Sequence, residues 1–310
     1  MSEFKHISVL ANETIEALNI KPDGTYVDCT LGGGGHSYLL LEKLKNGKLI
    51  AIDQDEYAIT RARKRLENFE DKIVYVHNNF KNLKSIIQEY APDGVDGIMM
   101  DLGVSSFQLD MAERGFSYNN DAPLDMRMSQ KGKSAFDVVN YYSENELRRI
   151  LRDYGDEKFA NKIAYNIVKA REIKEIETTL QLSEIIKNSI PMKAREKGHH
   201  PAKKSFQAIR IEVNDELSII NGAITDAVES LKPKGRLAVI SFHSLEDKAV
   251  KHAISENAKG CDCPPSFPIC VCGKKPKVAI ISKSAIVASD EELEMNPRAR
   301  SAKLRIAEKI

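Results

Sequence analysis

The segment TYVDCTLGGGGHSYLLLEKL, Thr25 to Leu44, constrains the fold more than any other. An apolar run closes on an acid, four glycines follow, and a leucine-rich helical pattern begins at His36. Strand, bare turn and helix in that order make the opening unit of an open α/β sheet, whose ligands sit beyond the carboxyl ends of the strands. The alternation continues. Strand-like segments at 25–30, 48–53, 72–77 and 95–103 are separated by helical patterns over His36–Lys45, Glu56–Phe69 and Phe80–Tyr90. In the second of these, Ala58, Ala62, Leu66 and Phe69 recur at helical spacing while Arg61, Lys64 and Arg65 face away. Near-continuous apolar strands between helices predict a parallel, doubly wound sheet covered on both faces.

From about Ser105 to about Arg210 the strands stop. Residues 113–134 read as a loop, and helix signals follow: a capping box of Ser143 and Glu146 before Leu147, Ile150 and Leu151, then patterns over Lys158–Lys169 and Leu180–Ile190. The α/β order resumes with a helix over Asp215–Leu231, a strand at 236–242 and a helix over Ser244–Asn257. Two further strand-like runs, 277–289 and 301–309, are expected to close the sheet as a hairpin-like pair. Connections within such folds are usually about 2–6 residues, so about 100 residues without a strand read as an inserted helical domain. The expected division is 1–108 and 213–310 for the α/β domain, with 109–212 inserted.

With 310 residues, 42% hydrophobic and 29% charged, the chain has the make-up of a globular protein. It has no apolar run near the ~20 residues that span a bilayer. MSEFKHISVL lacks the basic-then-apolar order of a secretory signal, so a cytoplasmic location without membrane partners is expected. A net charge of +1 leaves any nucleic-acid footprint to local patches. Two exist: Lys193–Arg210, with Lys193, Arg195, Lys197, Lys203, Lys204 and Arg210, and the tail from Asn296, with Arg298, Arg300, Lys303, Arg305 and Lys309.

The glycines do not follow G-x-G-x-x-G, because Ser37 or Tyr38 stands where the third glycine belongs, and the phosphate-cradling G-x-x-x-x-G-K-[ST] is absent. Pyrophosphate ligands are disfavoured. Asp53 ends the second strand, where a carboxylate can accept both ribose hydroxyls; otherwise it would cap the next helix. Ribose recognition without a phosphate loop points to S-adenosylmethionine. Phe80 lies where an adenine could meet a ring or where a core residue would sit, Asp101 ends the fourth strand, and Gln108 could reach cofactor or target base.

The blocks DCTLGGGGHS, AIDQD, MMDLGVSSFQLDMAERGFSY, PLDMRM, YGDEKFA, HPAKKSFQAIRIEVNDEL, GRLAVISFHSLEDKAVK and NPRARSAKLRIAEK together resemble the RsmH (MraW) family, the ribosomal RNA small subunit methyltransferases H. The resemblance runs from His6 to the C-terminus. It implies a Rossmann-like class I S-adenosylmethionine-dependent methyltransferase sheet with an inserted all-helical substrate-recognition domain. It also implies methylation of a cytosine N4 amine in the decoding region of 16S rRNA within the small ribosomal subunit. Carried over position by position, the cofactor contacts are Gly34, Gly35, His36, Asp53, Phe80, Asp101 and Gln108. A homodimer is compatible with the sequence.

For the chemistry, Asp101 or carbonyls of the DLGVSS turn are candidate acceptors for an amine proton, and His243 is a proton relay or a helix cap. Phe116 and Tyr118, with Arg114 and Arg127, are candidates to stack a splayed base, or else an inward-packed loop. Lys203, Lys204, Arg298 and Arg300 are candidates for RNA phosphates. Cys29 reads as packing. Cys261, Cys263, Cys270 and Cys272 crowd into CDCPPSFPICVC, a spacing open to a four-thiolate zinc site or to a loop with free thiols; in the family the resemblance points to, this segment varies. Two other readings are open: a nucleotide-binding oxidoreductase, which the missing third glycine opposes, and a ribosome assembly factor without catalysis.

Overall fold

The computed structural model describes residues 8–195, 200–264, 267–269 and 271–310. They divide into two compact units, one from Met1–Gly103 with Leu217–Ile310, the other Val104–Glu216.

The first unit is built on strands β1 (Thr25–Asp28), β2 (Lys48–Asp53), β3 (Ile73–His77), β4 (Val95–Asp101), β5 (Leu231–Ser241), β6 (Val278–Ile280) and β7 (Lys303–Lys309). Among the described residues they form one sheet in the order β3-β2-β1-β4-β5-β7-β6. Strands β1 to β5 pair in parallel, and β7 runs antiparallel to both β5 and β6. Because side chains alternate along a strand, the apolar runs sort into two cores. Tyr26, Leu49, Ala51 and Met99 pack with helices Ala11–Ala17, Gly35–Leu41 and Glu56–Arg65. Val27, Ile50, Ile52, Ile98 and Met100 pack with Leu83–Tyr90, Ile220–Ser230 and Ser244–Ala258 on the other face. Both faces are thus dry, and the open edge lies at the strand ends.

The expected antiparallel pair closes the sheet at the C-terminus as β6 and β7, but its first strand is shorter than expected. Strand β6 is three residues long, and the run to β7 carries a helix at Asp290–Met295 and a 3-10 turn at Pro297–Ser301. SKSAIVAS meets β7 through an isolated bridge, Ile286 to Leu304, and through Ser282 on Ile306. The helix expected from Asp215 starts at Ile220, because Asp215 takes a left-handed conformation, φ 52°, that ends helix Lys203–Asn214.

The second unit is helical: Ser106–Asp110, Ala135–Tyr141, Glu144–Asp153, Ala160–Arg171, Thr179–Ser189 and Lys203–Asn214. Its own core is built of Leu147, Ile150, Leu151, Ile163, Ile167, Leu182, Ile186, Phe206 and Ile209 with their neighbours. Partly buried Arg210 and buried Glu216 lock its end by two bonds of 2.8 Å. Ser143 and Glu146 form the expected capping box. Ser143 Oγ accepts from the Glu146 amide at 3.3 Å, and the Glu146 carboxylate accepts from the Ser143 amide at 2.8 Å. Ser143→Ala removes half of that exchange and is expected to cost about 0.5–2 kcal/mol. Urea titration should show a lower midpoint with an unchanged slope.

Candidate functional site

The carboxyl ends of β1, β2 and β4 carry Asp28, Asp53 and Asp101. Asp28 is buried and organises the first turn. Its Oδ1 accepts from the Thr30 amide at 3.0 Å and its Oδ2 from the Ser37 hydroxyl at 2.6 Å. Thr30 Oγ1 in turn accepts from the Asp101 amide at 2.6 Å, stitching β1 to β4. Asp53 Oδ2 accepts from the Gly32 amide at 2.7 Å and Oδ1 from the Asp55 amide at 2.8 Å. A carboxylate has about four lone-pair sites, so each oxygen of Asp53 keeps room for a further donor. The cap of the following helix is Asp55, not Asp53.

The turn is shaped for close approach. Gly34 has φ 74°, a left-handed conformation costly for any residue with a side chain. A methyl at Gly35 would stand 1.9 Å from Ser8 Oγ, whereas one at Gly33 would meet nothing within 4 Å. One side of the turn is therefore sealed by the protein and the other is bare. His36 is buried, with Nε2 2.9 Å from the Val9 carbonyl and Nδ1 3.7 Å from Asp101 Oδ2. Asp101 Oδ1 is buried with no hydrogen-bond partner among the described residues, although the side chain as a whole stays 31% exposed. A buried acceptor left open costs free energy unless a donor reaches it. Phe80 is half-buried, starts a 3-10 turn after β3, and packs part of its ring on the sheet core.

Burial pushes the Asp101 carboxyl up to about 6; His36 opposes the rise, while Asp28 and Glu246 add to it. Asp53 is likewise pushed up to about 6 by burial, against the two amide bonds and with the charges of Asp55 and Asp28. Burial also raises Asp28. This acidic, side-chain-free edge suits a ligand with hydroxyl and cationic donors and repels phosphate. The residues present therefore fit S-adenosylmethionine, a ribose with a sulfonium and an ammonium, better than a dinucleotide.

A sequence model of the MraW methylase family matches residues 3–310. The chain belongs to this family. It is 60% identical over 310 residues to "Ribosomal RNA small subunit methyltransferase H" of Clostridium botulinum strain Kyoto, covering 99% of this chain and 100% of that one. It is 54% identical over 309 residues to the protein of the same name from Brevibacillus brevis, covering 99% and 98%. Among solved structures, an rRNA methylase from Streptococcus thermophilus aligns at 12% identity and a TM-score of 0.43, covering 97% of this chain and 93% of that one. The sheet is the class I S-adenosylmethionine-dependent methyltransferase sheet expected from the sequence, with its reversed seventh strand between β5 and β6. The chain is a methyltransferase, and S-adenosylmethionine is its methyl donor.

The structure brings Gly34, Gly35, His36, Asp53 and Asp101 to one edge of the first unit. Gln108 belongs to the second unit, where its side-chain oxygen accepts from the Ser105 amide at 3.0 Å in a capping box. Asp28, Thr30 and Ser37 were not singled out in the sequence; an acid inside a strand run with a serine nine residues on was the available signal. His243 caps helix Ser244–Ala258 in a reciprocal box with Glu246. The base-stacking candidates make contacts within their own unit. Phe116 is 6% exposed in the helical core. Arg114 donates to the carbonyls of Arg127 and Met128 at 2.9 and 3.0 Å. Arg127 is forked onto Asp125 at 2.9 and 2.8 Å. Tyr118 stacks on His200 with ring centres 4.5 Å apart. These groups, with buried Leu124, Met126 and Met128, hold the 113–134 loop against its own unit.

Of the basic patches, Arg195 is used on the carbonyls of Ile190 and Lys187, and Arg210 on Glu216. In the tail, Asp247 takes Lys303 and Arg305, and Lys309 reaches the Val228 carbonyl. Lys203, Arg298 and Arg300 are exposed and Lys204 half-exposed. Lys197 and Cys270 lie outside the described residues, whereas Cys261, Cys263 and Cys272 cluster. No helix of the described residues is long and apolar enough to cross a membrane.

A carboxyl raised from the usual ~3.9 to about 6 holds its proton more tightly in the folded chain. Its stabilising contribution is complete below pH ~4 and is lost as pH rises through about 6. Thermal melts from pH 4 to 7 should therefore show stability falling across that window. Asp101→Asn should flatten the fall and leave the chain at least as stable at pH 7.5. A steeper fall in the variant would reverse the sign assigned to Asp101.

Proposed function

We propose that this chain methylates ribosomal RNA of the small subunit, 16S rRNA, at the N4 amine of a cytidine in the decoding region. The relatives' shared name supports the substrate class, and the sequence resemblance supports the N4 target. The observation that carries the site assignment is the buried, open acceptor of Asp101 beside a bare glycine turn and the two-sided carboxylate of Asp53. In this reading Asp53 accepts the ribose hydroxyls. Gly34, Gly35 and His36 line the methionine end with backbone, and Phe80 offers its exposed ring edge or face to the adenine. Asp101 accepts from the cofactor's cationic end or from the attacking amine. S-adenosylmethionine supplies an electrophilic methyl group.

The cytosine amine is a weak nucleophile because its lone pair is shared with the ring. The chain's contribution is orientation, which well-aligned systems convert into up to about 7–11 kcal/mol of barrier lowering, plus an acceptor for an amine proton as charge develops. Asp101 is the candidate for that acceptor, and above pH ~6 it is ionised and able to accept. Lys203, Lys204, Arg298 and Arg300 would hold RNA phosphates, so binding should weaken with salt.

Asp53→Ala removes charged acceptors worth about 1.5–3 kcal/mol, so calorimetry should show S-adenosylhomocysteine binding weakened about 10- to 150-fold. Unchanged affinity refutes the ribose role. Incubation with labelled S-adenosylmethionine and small ribosomal subunits, followed by mass-spectrometric mapping, is expected to find one modified cytidine carrying the label on N4. Label on any other base or atom, or binding without transfer, overturns the assignment.

A further inference from the structure

Between helix Ser244–Ala258 and β6 the chain makes an excursion whose base is closed by the Lys277 amide on the Asn257 carbonyl at 2.8 Å. None of the described residues from 259 to 277 is buried; Phe267, Ile269 and Val271 are 50%, 74% and 74% exposed. A segment with no apolar core has nothing to offset the entropy of ordering it, and small excursions of this kind are commonly held by a metal or a disulfide. The sulfur atoms of Cys261, Cys263 and Cys272 gather there, all within 4.8 Å of one another. Cys272 Sγ lies 3.8 Å from Cys261 Sγ. A tetrahedral zinc with bonds of about 2.3 Å holds its sulfurs about 3.8 Å apart, whereas a disulfide needs about 2.05 Å.

The surroundings match thiolates. The Cys263 amide points at Cys261 Sγ and the Val271 amide at Cys263 Sγ, both at 3.3 Å. Amides aimed at sulfur orient metal ligands and stabilise their charge. Gly273 follows Cys272 with φ 64°, so the chain turns away directly after the third sulfur. Asp262, the one acid between the first two cysteines, is neutralised by Lys259 at 2.8 Å and Lys274 at 2.7 Å, which leaves local positive charge beside the sulfurs.

We propose that Cys261, Cys263 and Cys272 bind a structural zinc ion that pins the 259–277 excursion, separate from the methyl-transfer edge. Metal binding needs the deprotonated thiols and substitutes for the missing core.

The test uses the full chain, purified under reducing conditions without chelator. Plasma mass spectrometry should find zinc near one per chain, and cobalt(II) in its place should give thiolate-to-metal charge-transfer absorption. Cys261→Ser, Cys263→Ser and Cys272→Ser should each lose most of the metal. Their circular dichroism should stay unchanged, since the segment is exposed. Chelation of the parent should speed proteolysis within 259–277 several-fold. A chain that takes up no zinc when offered it, variants that keep their zinc, or a disulfide among these cysteines in freshly purified protein would each overturn the proposal. None of these readouts depends on which nucleotide is methylated.

Discussion

The short bond from the Gly32 amide to the Asp53 carboxylate is the contact on which the site depends. It ties the turn after β1 to the end of β2, and the Asp28–Thr30–Asp101 chain ties the same turn to β4. Parallel pairing of β1 with both neighbours sets Asp28 opposite Ala51 and Met99, so that Asp53 and Asp101 both stand two residues beyond it, but alone it would leave the loops free. The side-chain bonds convert a set of loop starts into a rigid rim. A ligand arriving there meets groups whose ordering was completed when the chain folded, so little of its binding free energy is lost to arranging them.

Much of this was legible in sequence for a physical reason. The strands are apolar on both faces and the helices alternate with them, so periodicity alone orders the first four strands and places Asp53 and Asp101 at their ends. The capping box at Ser143 was legible because it is a local exchange between two residues three apart. What depends on long-range pairing was not. SKSAIVAS carries a strand-like apolar run yet lies largely outside the sheet. Asp28 looked like a strand terminator, because its partner Ser37 becomes a neighbour only after the chain turns back through four glycines.

The cations teach a related lesson. A run of lysines and arginines reads as a nucleic-acid surface, but an arginine's five donors also satisfy carbonyls that helix ends leave open. Arg195, Arg210 and Arg305 are used in this way or in buried ion pairs, and Arg114 and Arg127 hold a loop. The same holds for Phe116, whose ring is worth more in a small helical core than in solvent. Lys203, Arg298 and Arg300 remain exposed.

The carboxylates place stability and chemistry in opposition. Asp53 and Asp101 would cost the fold less as neutral groups, since burial and the charges of neighbouring acids, Asp55 and Asp28 for the one and Asp28 and Glu246 for the other, penalise their charged forms. A sheet selected only for stability would hold neutral groups there, although an amide at Asp53 could keep only one of the two backbone bonds its carboxylate accepts. Ionised, however, they are the groups that make this edge attractive to a sulfonium and an amine and unattractive to phosphate. A fold of ordinary α/β design thus keeps two acids where burial penalises them most, with the amides of Gly32 and Asp55 offsetting part of the penalty on one of them.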